Sequence, residues 1–343
     1  MIYNNITECI GNTPVVDFKS DLVPHGKKLY LKLDYFNPNF SVKDRTALGL
    51  VKAAIKNKKI QKGDILIEST SGNLGKSLAM LGAVYGFQVI IVVDPKISST
   101  LLKWYNAYGA RVEMVENPDE NGGFQKARIQ RVKELIKQYP NAYWTNQYDN
   151  PDNPNFHAET TGKEIIDLPI DSVVGAVSTG GHLCGVGKFV KQFKPEINVI
   201  ACDVQGSAVF QNQFNPYLIN GVGLSWRGQN TNLEVIDQVC IANDQEAIST
   251  CRILAKEYGI MIGGSGGLSV VSALAWLKNN NTKAAVAIIP DTGINYLDQI
   301  YDDVWLEQKG IILLEKEQLQ QRIDAKEFIN PDNLESKTLV YQV

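Results

Sequence analysis

Ile65-Leu66-Ile67-Glu68-Ser69-Thr70-Ser71-Gly72-Asn73 opens the stretch that decides the fold. The first four residues read as a short buried strand. The polar cluster after them caps a helix, and Leu74 to Tyr85 carries apolar residues at helical spacing until Gly86 closes it. Val89-Ile90-Ile91-Val92-Val93 then forms the β-branched run of a parallel strand covered on both faces. Strand, helix, strand in this order is βαβ logic and predicts a parallel α/β sheet.

The pattern extends in both directions. A helix around 101–108, Gly109 and a strand over 111–115 repeat the unit. A second series follows, with a strand at 173–177, a glycine-led helix at 180–193 and a strand at 198–204. Helices near 244–258 and 267–278 and a strand at 284–289 complete it. The stretches 117–123 and 148–155 are rich in Asn, Pro and Gly and read as connections. Two α/β units are expected, one over 45–150 and one from 151 onward. From Gly310 the chain turns charged and Gln-rich, which reads as a solvated helix and tail, with a partner subunit as one surface for it to pack on.

The chain has 343 residues, 34 Lys+Arg against 37 Asp+Glu, and a net charge of −3. With 44% hydrophobic and 21% charged residues, extended disorder is not expected. The near-neutral balance argues against nucleic acid or an anionic membrane as main partner, since either needs a basic face. Met1-Ile2-Tyr3-Asn4-Asn5-Ile6 lacks a basic segment followed by an apolar one, so no secretory leader is expected and the cytoplasm is the expected location. Cys9, Cys184, Cys202, Cys240 and Cys251 are odd in number and contain no Cys-x-x-Cys, so they read as small buried hydrophobes. His25, His157 and His182 are scattered, and no metal site is expected from them.

Four turns fall where strands end and helices begin, the edge at which open α/β sheets bind ligands. They are Ser69 to Gly75, Ser178 to Gly185, Gly263 to Gly267, and Pro290-Asp291-Thr292-Gly293. Gly75-Lys76-Ser77 resembles the end of a P-loop, but the required first glycine would stand at Thr70, and that reading fails. No Gly-x-Gly-x-x-Gly fingerprint follows the first strand. Ser178-Thr179-Gly180-Gly181 suits a phosphate, with successive backbone N–H groups at a helix N-terminus, and equally suits a tight turn that needs small residues. Lys43, just after Asn37-Pro38-Asn39, reads alone as a surface lysine; among phosphate-holding turns it reads as a carrier of a Schiff base.

Taken in order, Gly11-Asn12-Thr13-Pro14, Ser41-Val42-Lys43-Asp44-Arg45, Thr70-Ser71-Gly72-Asn73, Ser178 to Gly181, and Gly263-Gly264-Ser265 resemble the pyridoxal-phosphate β-family of fold type II. That family contains cysteine synthases and cystathionine β-synthases, and the resemblance runs from about Ile6 to Leu306. It implies two three-layer α/β/α domains with largely parallel sheets, as in the tryptophan synthase β chain. A large cofactor domain would span 1–44 and 151–310, a smaller mobile substrate domain 45–150, and a C-terminal helix and tail 311–343. It also implies pyridoxal 5'-phosphate (PLP) as cofactor, small amino acids as substrates, and a homodimer.

Residue by residue, the resemblance makes Lys43 the Schiff-base lysine and the base that takes and returns the Cα proton. Asn73 faces the cofactor's ring oxygen. Ser178, Thr179, Gly180, Gly181 and the backbone at His182 hold its phosphate. Ser265 faces the pyridine nitrogen; a serine there does not hold that nitrogen protonated, which favours prompt loss of a β-substituent. Thr70, Ser71, Gly72 and Gln147 match contacts to the substrate carboxylate. The implied reaction is β-replacement on a serine derivative through an aminoacrylate, the work of a transferase.

Further segments resemble the N-(2-amino-2-carboxyethyl)-L-glutamate synthases of siderophore diaminopropionate biosynthesis. They are Asp94-Pro95-Lys96-Ile97-Ser98, Val112-Glu113-Met114-Val115 with Pro118-Asp119 and Gly122-Gly123, Ala142-Tyr143-Trp144 with Asn146-Gln147-Tyr148, and Tyr296-Leu297-Asp298 with Trp305-Leu306-Glu307. This implies O-phospho-L-serine as donor and L-glutamate as acceptor. Arg128, small in typical cysteine synthases, reads as a grip on a phosphate or a carboxylate, or as a solvated helix-face residue. Tyr148 reads as lining the acceptor pocket or as a packed loop aromatic. His182 departs from both groups, which have Thr or Ser there; it reads as an acid–base group, an influence on acceptor choice, or a helix cap. A cysteine synthase or cystathionine β-synthase is the alternative activity. A non-catalytic binding protein on a degraded enzyme fold is a third reading, disfavoured by Lys43, Asn73 and Ser265.

Overall fold

The computed structural model describes residues 2–118 and 124–334. The chain begins with β1 (Val15–Phe18) and β2 (Lys28–Leu33), then α1 (Lys43–Lys56). Next come β3 (Ile65–Ser69), α2 (Asn73–Tyr85), β4 (Gln88–Val93), α3 (Ser99–Ala107), β5 (Arg111–Met114), α4 (Phe124–Gln138) and β6 (Ala142–Trp144). The second half holds α5 (Asp152–His157), α6 (Lys163–Ile165), β7 (Ser172–Ala176), α7 (Gly181–Phe193), β8 (Asn198–Val204) and β9 (Gln238–Ala242). It ends with α8 (Asp244–Tyr258), α9 (Gly264–Asn279), β10 (Ala284–Ile289), α10 (Asp303–Gln308), α11 (Lys316–Asp324) and β11 (Phe328–Ile329). Residues 119–123, and with them most of the turn expected at 117–123 and the Gly122-Gly123 of the subfamily resemblance, lie outside the described residues, as do 335–343.

Two sheets result. The smaller has the order β5-β4-β3-β6 and is parallel throughout. The larger has the order β1-β2-β10-β7-β8-β9-β11. Its five inner strands are parallel, while β1 and β11 run antiparallel at the two edges. β4, β7 and β10 are buried over almost their whole length, which is why their apolar runs were readable as covered strands. The fold is α/β with one mixed and one parallel sheet, as the type II resemblance implies.

The expected elements form with small shifts at their ends. The helix placed at 101–108 begins two residues earlier because Ser98 caps it, accepting from Leu101 N at 3.2 Å. The helix placed at 267–278 begins at Gly264, and its body from Gly264 to Leu277 is buried. β1, β2, β9 and α1 were not apparent in the sequence. In α1 the first turn buries charge, with Asp44 and Arg45 fully buried ahead of the buried apolar residues Ala47, Leu48, Leu50, Val51 and Ala54. The segment after Gly310 does form a helix, but Leu319 and Ile323 of α11 are fully buried against α8 and α9 of the same chain. β11 then pairs with β9, so this segment completes the larger sheet. Four of the five cysteines are buried. No helix among the described residues is long and apolar enough to cross a membrane.

Candidate active site

The C-terminal ends of the strands of both sheets face a common cleft of about 850 Å³. Its floor is Lys43, the first residue of α1, part-buried. Ser41, just before it, bridges to Asp291, and Val42 N donates to Pro290 O at 2.7 Å, which ties this turn to the end of β10. Burial pushes the Lys43 amine below its ordinary pKa, against the opposing charges of Asp291 and Asp34. Desolvation wins because an ammonium loses its hydration at the floor of the cleft.

One wall is the turn from β3 into α2. Thr70, Ser71, Gly72 and Asn73 line the cleft at the N-terminus of α2, where the helix dipole favours an anion. Gln147 and Tyr148 approach from beyond β6 and are both buried. Gln147 Nε2 donates to Ser69 O at 3.2 Å, and the Tyr148 ring lies 5.3 Å from that of Trp226. Arg128 reaches in from α4. It is 6% exposed, so the solvated helix-face reading does not hold. Its Nη1 donates to Ser71 Oγ at 2.5 Å and lies 3.2 Å from Asp94 Oδ2, while its Nε has no partner. Lys96 and Lys126 line the same side.

The other wall follows β7. Ser178 and Thr179 line the cleft, and Gly180 and His182 line a small adjoining chamber of about 10 Å³ that also touches Lys43. Gly180 has φ +84°, a left-handed conformation that turns the strand into α7. A Cβ on Gly181 would stand 2.2 Å from Asn153 side-chain atoms, so only glycine fits. The turn is therefore both tight and rich in small residues, and its N–H groups start a thirteen-residue helix. His182 is buried with Nε2 unpartnered, and its ring lies 5.2 Å from His157. Two histidines scattered in the sequence thus meet. Burial pulls His182 down to about 4 and His157 well below its ordinary value, so both rings are neutral at neutral pH.

Ser265, in the first turn of α9, is fully buried and its Oγ has no partner. It faces the loop at Gly221, where an added Cβ would come within 3.3 Å of that oxygen, and Gly221 lines both the cleft and the chamber. A buried hydroxyl without a partner is costly in a finished protein. Its position beside the cleft fits a ligand that supplies an acceptor or donor there. Of the fourteen residues singled out in the sequence, ten line the cleft, Gly180 and His182 line the adjoining chamber, Ser265 lies behind Gly221, and Gly181 packs on Asn153 within the same turn.

Sequence reasoning quoted Asp94, Asp291 and Tyr296 within motifs but gave them no role at the site, and did not single out Asn295. Asn73 Nδ2 donates to Asp291 Oδ2 at 2.8 Å, and Tyr296 OH donates to the same oxygen at 2.6 Å. The Pro290-Asp291-Thr292-Gly293 turn was noticed, but nothing local signals that its carboxylate lies under Asn73.

The fold and this cleft define a class, and comparison with known proteins agrees. The chain belongs to the family of pyridoxal-phosphate dependent enzymes, whose model matches residues 6–291. Among solved structures it is similar to O-ureido-L-serine synthase, with 31% identity, 90% of this chain and 100% of that one covered, and a TM-score of 0.82. It is also similar to a cysteine synthase from Entamoeba histolytica, with 33% identity, coverage of 94% and 96%, and a TM-score of 0.85. A hydrogen sulfide-producing enzyme from Fusobacterium nucleatum matches at 31% identity, with coverage of 86% and 100% and a TM-score of 0.81. More narrowly, the chain is a PLP-dependent β-replacement enzyme of the cysteine synthase and O-ureidoserine synthase type, acting on serine derivatives. Its cofactor is pyridoxal 5'-phosphate.

Proposed function

We propose that the enzyme joins O-phospho-L-serine to L-glutamate, giving N-(2-amino-2-carboxyethyl)-L-glutamate and phosphate. The carrying observation is Arg128, a buried guanidinium bonded to Ser71 in the turn proposed for the substrate carboxylate, with its Nε still unpaired. Lys96 and Lys126 on the same side of the cleft add positive charge where a phosphate would depart. The subfamily resemblance of residues 94–98 and 296–298 supports the same pairing, and with it a cytoplasmic homodimer serving siderophore-type biosynthesis.

In this reading the residues of the two walls would hold PLP: Lys43 would anchor it, Asn73 would meet its ring oxygen, Ser178 to His182 would take its phosphate and Ser265 its ring nitrogen. When bound, PLP supplies an electron sink for breaking the Cα–H bond and expelling the β-substituent. Thr70, Ser71, Gly72 and Gln147 hold the substrate carboxylate, and Lys43 Nζ takes the Cα proton and later returns it. Tyr148 lines the acceptor side. The unit 45–150 closes over the substrate, and the Ser225 Oγ to Gln125 Oε1 hydrogen bond of 2.7 Å joins the two rims.

Purified protein supplied with O-phospho-L-serine or O-acetyl-L-serine, and with L-glutamate or sulfide, separates the activities by mass spectrometry. Faster turnover with sulfide would favour the second reading, a cysteine synthase, which the similarity to the Entamoeba enzyme supports. Arg128→Ala is expected to raise KM for O-phospho-L-serine about 10- to 100-fold, the worth of one or two charge-assisted hydrogen bonds, with O-acetyl-L-serine kinetics little changed. Equal loss with both donors would refute the assigned role.

A further inference from the structure

Gly75-Lys76-Ser77 fails as a P-loop but leaves a lysine fully buried one turn after Asn73. A charged amine is held out of water only where partners compensate it. Lys76 Nζ donates to Asn295 Oδ1 at 3.3 Å and lies 5.3 Å from the centroid of the Trp104 ring. Asn295 Nδ2 in turn donates to Asn73 Oδ1 at 3.2 Å, and Asn73 Nδ2 donates to Asp291 Oδ2 at 2.8 Å. Every donor points the same way, from ammonium to carboxylate. The other Asp291 oxygen, Oδ1, is buried without a partner.

We propose that Lys76 is a positioning residue: its ammonium heads a hydrogen-bond chain through Asn295 and Asn73 to Asp291 that fixes the Asn73 amide and balances the Asp291 charge beside Lys43. The proposal rests on the reading of Lys43 as the residue that holds PLP.

The two ends of an amide are nearly equal in shape. Reversing Asn73 would set its oxygen against the Asp291 carboxylate and its N–H groups against those of Asn295. With an ammonium at one end and a carboxylate at the other, only one orientation satisfies every group. The second consequence is electrostatic. Asp291 faces both Lys43 and Lys76, as well as the Tyr296 hydroxyl; burial pushes its carboxyl up, and the hydrogen bonds from Tyr296 and Asn73 with the charges of Lys76 and Lys43 oppose that rise. Lys76 also faces Asp44 on α1, and Lys43 also faces Asp34 and the neutral rings of His157 and His182. Burial draws Lys76 down only to about 8, so its ammonium persists at neutral pH. Removing it leaves the Asp291 charge facing Lys43 alone and draws a proton onto that amine.

Lys76→Met keeps the aliphatic stem and removes the charge. Apoprotein is mixed with PLP across a pH series, and appearance of the lysine-bound chromophore is followed. The midpoint of uptake is expected to rise by about one unit, so that uptake at neutral pH slows about tenfold. It is expected to return toward the wild-type value in Lys76→Met/Asp291→Asn, where both charges are gone. Asn295→Ala, at a less buried site, cuts the chain at its second link and is expected to shift the curve in the same direction. Loss of packing alone would lower the thermal midpoint without moving the pH midpoint. Wild-type uptake curves in both Lys76→Met and Asn295→Ala overturn the proposal, as does a shift that Asp291→Asn leaves in place. A wild-type chain that takes up no PLP at all overturns the cofactor reading, and this proposal with it.

Discussion

On the role proposed for Lys43, Lys43→Ala is expected to lower turnover by about 10³-fold or more and to abolish the lysine-bound chromophore expected of the wild-type protein with PLP. Two functions are lost together. General acid–base catalysis alone contributes about 10²- to 10⁴-fold, and the covalent anchor is lost as well. An exposed lysine would have about one amine in two thousand neutral at pH 7. Burial at the cleft floor lowers the Lys43 pKa and raises that fraction, which is what a base and a nucleophile need. The substitution should leave the fold intact, because Lys43 stands at the first position of α1 and Ala is a good helix former. Absorbance and product formation in the same sample test it. A Lys43→Ala protein that retains turnover within tenfold of wild type would falsify the assignment.

The site residues at strand–helix junctions were legible because position and composition coincide there. Thr70 to Asn73, Ser178 to His182 and Ser265 each follow or start an element with a strong apolar signal. α1 was not legible, although it begins at Lys43. Asp44 and Arg45 are charged yet fully buried, so the first turn, where Lys43 stands, does not look like a core-facing helix start even though Ala47, Leu50 and Val51 follow on a buried apolar face. β2 was hidden for the same reason: Lys28-Leu29-Tyr30-Leu31-Lys32-Leu33 alternates with lysines, and Lys32 is only 1% exposed. Asp291, Asn295 and Lys76 acquire meaning only through contacts some 220 residues apart in sequence, and no local pattern encodes these. Arg128 shows the limit from the other side. Its spacing among Lys126 and Arg131 reads as a solvated face, and only the fold reveals that it turns inward to Ser71 and Asp94.

Arg45→Met is expected to cost about 3–5 kcal/mol of stability, the usual penalty for removing one partner of a buried ion pair. Arg45 is fully buried and gathers four segments of the chain. Its Nη2 lies 3.1 Å from Asp34 Oδ1, and its Nη1 and Nη2 donate to the two Glu164 oxygens at 2.6 and 2.7 Å. Thr13 Oγ1 donates to Asp34 Oδ1 at 2.6 Å, and Asn12 N donates to Glu164 Oε1 at 2.9 Å. The Gly-Asn-Thr-Pro motif therefore serves here to seat the start of α1, two residues from Lys43. Methionine fills most of the space but leaves Asp34 buried without its ion-pair partner. The acid side gives a second readout. Burial alone would raise Glu164, but hydrogen bonds and charge from Arg45, then from Lys32, outweigh it and pull its pKa to about 2. A depressed carboxylate contributes stability that is present above its ordinary value of 4.5 and is lost as pH falls toward about 2. That contribution is worth at most about 3 kcal/mol by the size of the shift. Urea titrations of wild type should therefore lose stability between these pH values, and Arg45→Met should show a shallower loss there, with Lys32 sustaining the remainder. A variant within about 1 kcal/mol of wild type at neutral pH, or one with the same acid slope, would show that α1 is held by its apolar face and not by this charge network.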